Sequence, residues 1–179
     1  MNPLLRSRTH KLLLVSLAAA LFTPALFAQK IQTEFDQAAD FSKFKTFVLR
    51  PGRINSPNPS LNNEIVKKQL DADVQKYLEM SGLTPVGSGQ PDLVVRYRLG
   101  TPRAVETEVY PAGWRGWGSR VVKVPYTEGT LVIDLRDPAT HSLVWRCIAR
   151  QDENDAGKIE SKLDDMVKKA FQKFPPKGQ

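Results

Sequence analysis

Residues Gly129–Arg150 read GTLVIDLRDPATHSLVWRCIAR, and this stretch decides the fold because it predicts a β-hairpin. Leu131, Ile133 and Leu135 are spaced two residues apart, the period that places side chains on one face of a strand. Asp137 and Pro138 supply turn chemistry, and the alternation then resumes. The predicted core face of the return strand contains Leu143, Trp145, Cys147 and Ala149.

The other face of this hairpin is predicted to meet solvent, with Arg146 and Arg150 in water. Asp134 and Arg146 share that face. A turn that places Ile133 opposite Trp145 makes them diagonal neighbours, which predicts an exposed ion pair worth about 0–1 kcal/mol. Cys147, the single cysteine, is predicted to be a buried and unpaired thiol.

The first 28 residues have the pattern of a secretory signal peptide: Arg6, Arg8 and Lys11 precede an apolar run from Leu12 to Ala20. The run is too short for a membrane span, which needs about 20 apolar residues. We therefore expect cleavage after Ala28 and a soluble periplasmic product, with an uncleaved membrane anchor as the alternative. No cysteine follows the apolar run, so a bacterial lipid anchor is not expected.

The charge balance argues against nucleic acid as a partner. Removal of residues 1–28 takes away three of the 26 basic residues and none of the 19 acidic ones, so the net charge falls from +7 to +4. Much of the basic character thus belongs to the export signal, and an exported protein rarely meets nucleic acid.

Residues 29–179 are enough for a single domain with its own core. A strand is predicted at Thr46–Leu49, a loop at PGRINSPNPS, and then a helix that begins with Asn58 as its cap and Pro59 in its first turn. The predicted core stripe of this helix contains Val66, Leu70, Val74, Tyr77 and Leu78, and Gly82 is expected to end it in a Schellman motif.

Further along the chain, DLVVRYRL at Asp92–Leu99 predicts an interior strand with Arg96 and Arg98 on its solvent side. Ala104–Tyr110 is a weaker candidate for an edge strand, and a second helix is predicted from about Lys158 to Phe174. This order predicts an α+β fold: an antiparallel sheet of five to six strands with two helices packed on one face.

Few residues offer catalytic or metal chemistry. His141, in the predicted hairpin turn, is the only histidine after residue 28, so a Ser/His/Asp or Cys/His arrangement is not expected. The spacing of His, Cys and carboxylates does not match a zinc site, and Gly87-Ser88-Gly89 is not followed by a helix as a phosphate loop would be. No catalytic residue, metal or cofactor is therefore predicted.

The segment PAGWRGWGSRVVKVPY lacks a regular pattern and carries the candidate binding residues. Its aromatic rings either fold onto the sheet edge as a lid or stand exposed as anchors for a partner. In the second case the partner is an envelope protein or an anionic glycolipid. The candidate residues are Tyr110, Trp114, Arg115, Trp117 and Arg120.

The chain resembles a family of bacterial envelope proteins, domain of unknown function 4136, through FDQAADFSKFKTF, PDLVVRYRLG, TLVIDLRDPATHSLVWR and VKKAFQKFPPK. The resemblance implies an exported or lipid-anchored protein and no established activity. The chain departs from the family by lacking the anchoring cysteine, and by having Cys147 where a small residue is expected after the Trp-Arg pair.

Two functions from different classes remain open at this point. The first is a non-catalytic periplasmic binding or assembly module, which the missing catalytic constellation favours. The alternative is an envelope enzyme, hydrolase-like, without an identifiable catalytic constellation. The sequence therefore predicts that the protein is not an enzyme.

Overall fold

The computed structural model describes residues 29–100, 107–111, 119–123, 129–151 and 155–176. The described strands are β1 (Lys30–Phe35), β2 (Thr46–Leu49), β3 (Arg53–Asn55), β4 (Thr84–Pro85), β5 (Leu93–Gly100), β6 (Thr107–Pro111), β7 (Ser119–Lys123), β8 (Thr130–Asp137) and β9 (Ser142–Arg150). The helices are α1 (Glu64–Met80), α2 (Ala156–Glu160) and α3 (Leu163–Phe171). None of these helices is long and apolar enough to cross a membrane.

The hairpin of β8 and β9 is confirmed, but its register differs from the predicted one. Ile133 lies opposite Cys147 rather than Trp145, and Asp134 lies directly opposite Arg146. A shift of two residues preserves the faces, so the apolar side is still the one predicted. An irregularity between Leu135 and Arg136 pairs Leu143 with Arg136, so the prediction that Leu143 lies on the core face is wrong, and Leu143 is only half-buried.

The main sheet is mixed, so the prediction of a purely antiparallel sheet is wrong. Its strand order is β1-β9-β8-β5-β2-β4, with β3 also paired to β5. The pairs β1–β9, β9–β8 and β8–β5 are antiparallel. In contrast, β2 and β3 run parallel to β5, and β4 runs parallel to β2. The reason is α1, which carries the chain across the sheet and returns it in the same direction.

Two stretches that the sequence did not assign to strands form them. Within the predicted loop PGRINSPNPS, β3 pairs with the end of β5 through Arg53↔Arg98 and Ile54↔Leu99. In the segment without a regular pattern, β7 pairs with β6 as a separate two-stranded sheet. The weak edge candidate at Ala104–Tyr110 thus overlaps β6, which does not extend the main sheet.

The predicted N-cap of α1, Asn58, is wrong, whereas the predicted end of the helix at Gly82 is confirmed. Asn63 is the N-cap, because its Oδ1 accepts hydrogen bonds from the backbone N–H groups of Ile65 and Val66 at 2.9 and 3.0 Å. Asn58 instead closes the preceding turn. At the other end Gly82, with φ of 90°, and the Leu83 N–H bond to Leu78 form the Schellman motif.

The predicted second helix is interrupted between α2 and α3. The Ser161 hydroxyl donates to the Lys158 carbonyl at 2.9 Å, and the Lys162 N–H donates to the Ile159 carbonyl at 3.0 Å, so the chain makes a tight turn there. The predicted apolar stripe survives the interruption. Its buried residues are Ile159, Leu163, Met166, Val167, Ala170, Phe171 and Phe174.

Both helical segments cover one face of the main sheet, and their apolar stripes form a single core with the strands. Trp145 of β9 stacks on Phe171 of α3, with ring centroids 5.8 Å apart, and meets Phe174 edge-on at 5.5 Å. The predicted stripe of α1 is also fully buried, which confirms the helix face.

Tyr97 connects this core to the bend between β2 and β3. Its hydroxyl donates to Asp71 Oδ1 of α1 at 2.7 Å. Burial is the main cause that raises the pKa of Tyr97, and this hydrogen bond is the second. The ring lies directly against Gly52, where a Cβ atom would collide with it. The tyrosine and the glycine therefore fix where the chain bends between Arg50 and Arg53.

We predict that the Cys147 thiol is unreactive in the folded protein. Its side chain is fully buried, and burial raises its pKa to about 12, so almost no thiolate forms at neutral pH. A thiol reagent should label native protein slowly and urea-unfolded protein at once. Equally fast labelling of both forms would contradict the buried position.

We also predict that Gly52→Ala lowers the free energy of unfolding by about 1–3 kcal/mol, because the added methyl group meets the Tyr97 ring. Gly87→Ala is the matched control, since no atom lies within 4 Å of a Cβ there and its φ is not in the left-handed region. Urea unfolding measures both. Equal values for the two variants would rule out the Tyr97 contact as a constraint.

Candidate functional site

A cleft of about 620 Å³ opens on the face of the main sheet opposite the helices. Arginine side chains dominate its lining, and Asp134 is the one carboxylate among the described lining residues. The size is within the range of small-molecule sites. The lining residues are Arg50, Pro51, Gly52, Arg53, Arg96, Tyr97, Arg98, Asp134 and Arg136.

At the base of the cleft, Asp134 and Arg146 form a buried bidentate ion pair. Arg146 Nε donates to Asp134 Oδ1 at 2.6 Å, and Arg146 Nη2 donates to Asp134 Oδ2 at 2.8 Å. The side chains are only 9% and 2% exposed for Asp134 and Arg146, respectively. The prediction of a solvent-exposed pair, with Arg146 in water, is therefore wrong.

The reason is a second covered face. Val132 and Ile148, which share the Asp134 side of the hairpin, are buried and do not belong to the core under the helices. Strand β6, which is outside the main sheet, contacts β9. A half-solvated hairpin was expected, but β8 and β9 are covered on both sides.

Strand alternation places the arginines in the cleft. Arg96 and Arg98 flank the buried Tyr97 on β5, so they point away from the helices. Arg96 lies opposite Asp134 across β5 and β8, and Arg98 Nη2 is 3.5 Å from Asp134 Oδ2. Arg98 is 20% exposed at its side chain, between the buried Arg146 and the exposed Arg96.

Arg50 and Arg53 reach the same face from the neighbouring strands. The Arg50 N–H donates to the Val95 carbonyl at 2.9 Å, which places Arg50 beside Arg96, and Arg53 lies opposite Arg98. In the described chain, no acidic side chain forms an ion pair with Arg50, Arg53 or Arg96. The described lining of the cleft therefore carries an excess of positive charge.

Sequence reasoning placed Arg96 and Arg98 on a solvent-facing side but did not identify this site. The available signals were the alternation RYR at Arg96–Arg98 and the short spacing of Arg50 and Arg53 around Pro51-Gly52. They become a site only when β2 and β3 pair in parallel with β5. That pairing was not predicted.

Two of the predicted binding residues lie in described strands, where Tyr110 of β6 is the backbone partner of Arg120 on β7. Trp114, Arg115 and Trp117 lie outside the described residues. The prediction that these five residues bind a partner stays a prediction.

A separate titratable cluster lies between α1 and α3. Burial, and then the charge of Asp164, raises the pKa of Asp73, while the Tyr77 hydroxyl donates to Asp164 Oδ1 at 3.0 Å. None of these residues lines the cleft. Across the described ranges, no three His, Cys or carboxylate side chains converge as metal ligands.

Structural comparisons give distant similarities. A PDZ domain protein from Parabacteroides distasonis matches with a TM-score of 0.51 and 16% identity, over 84% of this chain and 37% of that one. Two PelC dodecamer structures from Paraburkholderia phytofirmans match at TM-scores of 0.45 and 0.44, each with 12% identity over 80% of this chain and 94% of theirs. At 16% identity, the match to the Parabacteroides distasonis protein indicates a shared fold only.

A comparison with functionally curated proteins finds no significant match. The family described as Domain of unknown function (DUF4136) matches residues 31–176, which include every strand and helix described above except the first residue of β1. The chain therefore belongs to the DUF4136 family.

Proposed function

We propose that this protein is an exported, non-catalytic module of the cell envelope that binds an anionic ligand in the arginine cleft. The basic and apolar pattern of residues 1–28 supports export to the periplasm. The arginine cleft supports the anionic class of ligand.

One observation carries the proposal: arginines lie side by side on adjacent strands, and Arg50, Arg53 and Arg96 form no ion pair with an acidic side chain of the described residues. Arg53 is the direct partner of Arg98, and Arg50 lies beside Arg96. Like charges placed directly opposite each other in a sheet destabilise it. On a surface whose charges only keep the protein soluble, acidic residues would be expected between the basic ones. A bound anion removes the repulsion and stabilises the folded protein.

Guanidinium chemistry specifies the kind of anion. Each arginine presents a rigid planar fork of N–H donors that matches a carboxylate or phosphate group, and the side chain stays charged at every physiological pH. Because the cleft is concave and bounded by the protein, its charges are screened less than on an open surface. The ligand class is thus an oxyanion, as in the anionic glycolipid considered above.

The chemistry of the lining supports binding rather than catalysis. Asp134 is the one carboxylate among the described lining residues, and both of its oxygens accept hydrogen bonds from Arg146. A general base must be able to approach the substrate and needs a second group to act with, whereas Asp134 is held by Arg146 and the described lining has no histidine or cysteine. Asp73, a carboxyl whose pKa is raised by burial, belongs to the cluster between α1 and α3 and does not line the cleft.

We predict that the purified protein binds pyrophosphate and that Arg96→Gln weakens this binding about tenfold or more, because a charge-assisted hydrogen bond is lost. Lys68→Gln is the matched control: it removes the same charge from an exposed position on α1. Isothermal titration calorimetry at low salt measures both, and Lys68→Gln should stay within about twofold of the unchanged protein.

Two results would contradict this function. If pyrophosphate does not bind at low ionic strength, the cleft is not an anion site. If Arg96→Gln and Lys68→Gln weaken binding equally, the effect comes from net charge and not from the cleft.

A further inference from the structure

The arginines of the cleft form two pairs. In the first pair, the parallel register Leu49↔Val95 and the bond from the Arg50 N–H to the Val95 carbonyl set Arg50 beside Arg96. In the second pair, Arg53 and Arg98 are direct partners between β3 and β5. Adjacent strands are about 4.8 Å apart, so two guanidinium groups of one pair can hold the same oxyanion.

The bend at Pro51-Gly52 keeps both pairs on one face. Two residues lie between Arg50 and Arg53, whereas one lies between Arg96 and Arg98, so the chain has one extra residue opposite Tyr97. In a regular strand, residues three apart point to opposite faces, so the bend at this extra residue returns Arg53 to the face of Arg50. Gly52 permits the bend because the Tyr97 ring occupies the place of a Cβ atom.

The two pairs are too far apart for one small anion to satisfy. Arg96 and Arg98 lie two residues apart on β5, which corresponds to about 7 Å along a strand. An anion held by Arg50 and Arg96 therefore leaves Arg53 without a partner. Asp134 forms ion pairs with Arg146 and, at 3.5 Å, with Arg98, but not with Arg50, Arg53 or Arg96.

We propose that the ligand carries two oxyanion groups about 7 Å apart, one held by Arg50 and Arg96 and the other by Arg53 and Arg98. This inference rests on the proposed function of the cleft and specifies its ligand as a bis-anion. A cleft of about 620 Å³ accommodates two such groups and the linker between them. The same chemistry occurs in a free bisphosphorylated molecule and in the headgroup of a bisphosphorylated glycolipid.

A series of bisphosphonates with linkers of one to about six carbons tests the spacing, with methylphosphonate as the single-anion reference. A linker of about four carbons separates its phosphonates by a distance near the spacing of the pairs. We expect this compound to bind at least about tenfold more tightly than methylphosphonate and than the one-carbon compound, because the second group binds intramolecularly.

Variants of each pair complete the test. In Arg53→Gln, the preference for the four-carbon compound over methylphosphonate should fall to about twofold, since one group has lost a partner. Arg96→Gln should behave in the same way. Arg53→Lys, which keeps the charge, should retain an intermediate preference, and thermal melting checks that each variant is folded.

The outcomes separate this inference from the function on which it rests. If methylphosphonate binds as tightly as every bisphosphonate, or the one-carbon compound binds best, the two-pair arrangement is wrong while the anion site stands. If neither phosphonates nor pyrophosphate bind, the proposed function itself is wrong.

Co-sedimentation with vesicles that contain a bisphosphorylated glycolipid distinguishes the two sources of the ligand. Sedimentation that the four-carbon bisphosphonate abolishes would identify a membrane headgroup in the cleft. Protein that stays in the supernatant while the free compound binds would identify a small molecule. Sedimentation that the compound cannot reverse would contradict headgroup binding in the cleft.

Discussion

The buried ion pair between Asp134 and Arg146 is the constraint on which the cleft face of the sheet depends. It joins β8 to β9 under a second covered face, where both side chains are almost fully buried. Asp134 lies directly opposite Arg96 of β5, but its ion pairs are with Arg146 and, at 3.5 Å, with Arg98. The pair thereby conserves the positive charge of the cleft while it holds the central strands in register.

The helix-covered face stabilises a sheet whose other face carries unfavourable charge. Trp145 neighbours Arg146 along β9 and packs on Phe171 and Phe174, so the same strand contributes to the aromatic core and to the ion pair. Strand β5 likewise contributes to both faces, with Tyr97 in the core. The Tyr97 hydroxyl is held by Asp71 while the adjacent arginines point into the cleft. The apolar core offsets the cost of gathering like charges, a cost that a ligand would relieve.

Local patterns predicted the parts of this fold that depend on neighbours in sequence. The hairpin faces, the buried stripe of α1, the Schellman motif at Gly82 and the burial of Cys147 all follow from periodicity. Asn58 and Asn63 have the same capping chemistry, so the sequence could not distinguish them. The parallel strands and the burial of Arg146 depend on contacts between distant segments, which alternation does not encode. Each cleft arginine alone is typical of a solvated position, and only the strand order makes them a site.

The contribution of the buried ion pair is measured by the free energy of unfolding of Asp134→Ala. Removal of Asp134 takes two charge-assisted hydrogen bonds from the buried Arg146, so urea unfolding should show a loss of about 3–5 kcal/mol, and the double variant Asp134→Ala with Arg146→Leu should recover much of it. Asp165→Ala is the control, because it removes an exposed pair with Lys169 at 2.8 Å and should cost no more than about 0.5 kcal/mol. An Asp134→Ala loss no larger than that of Asp165→Ala would contradict the account.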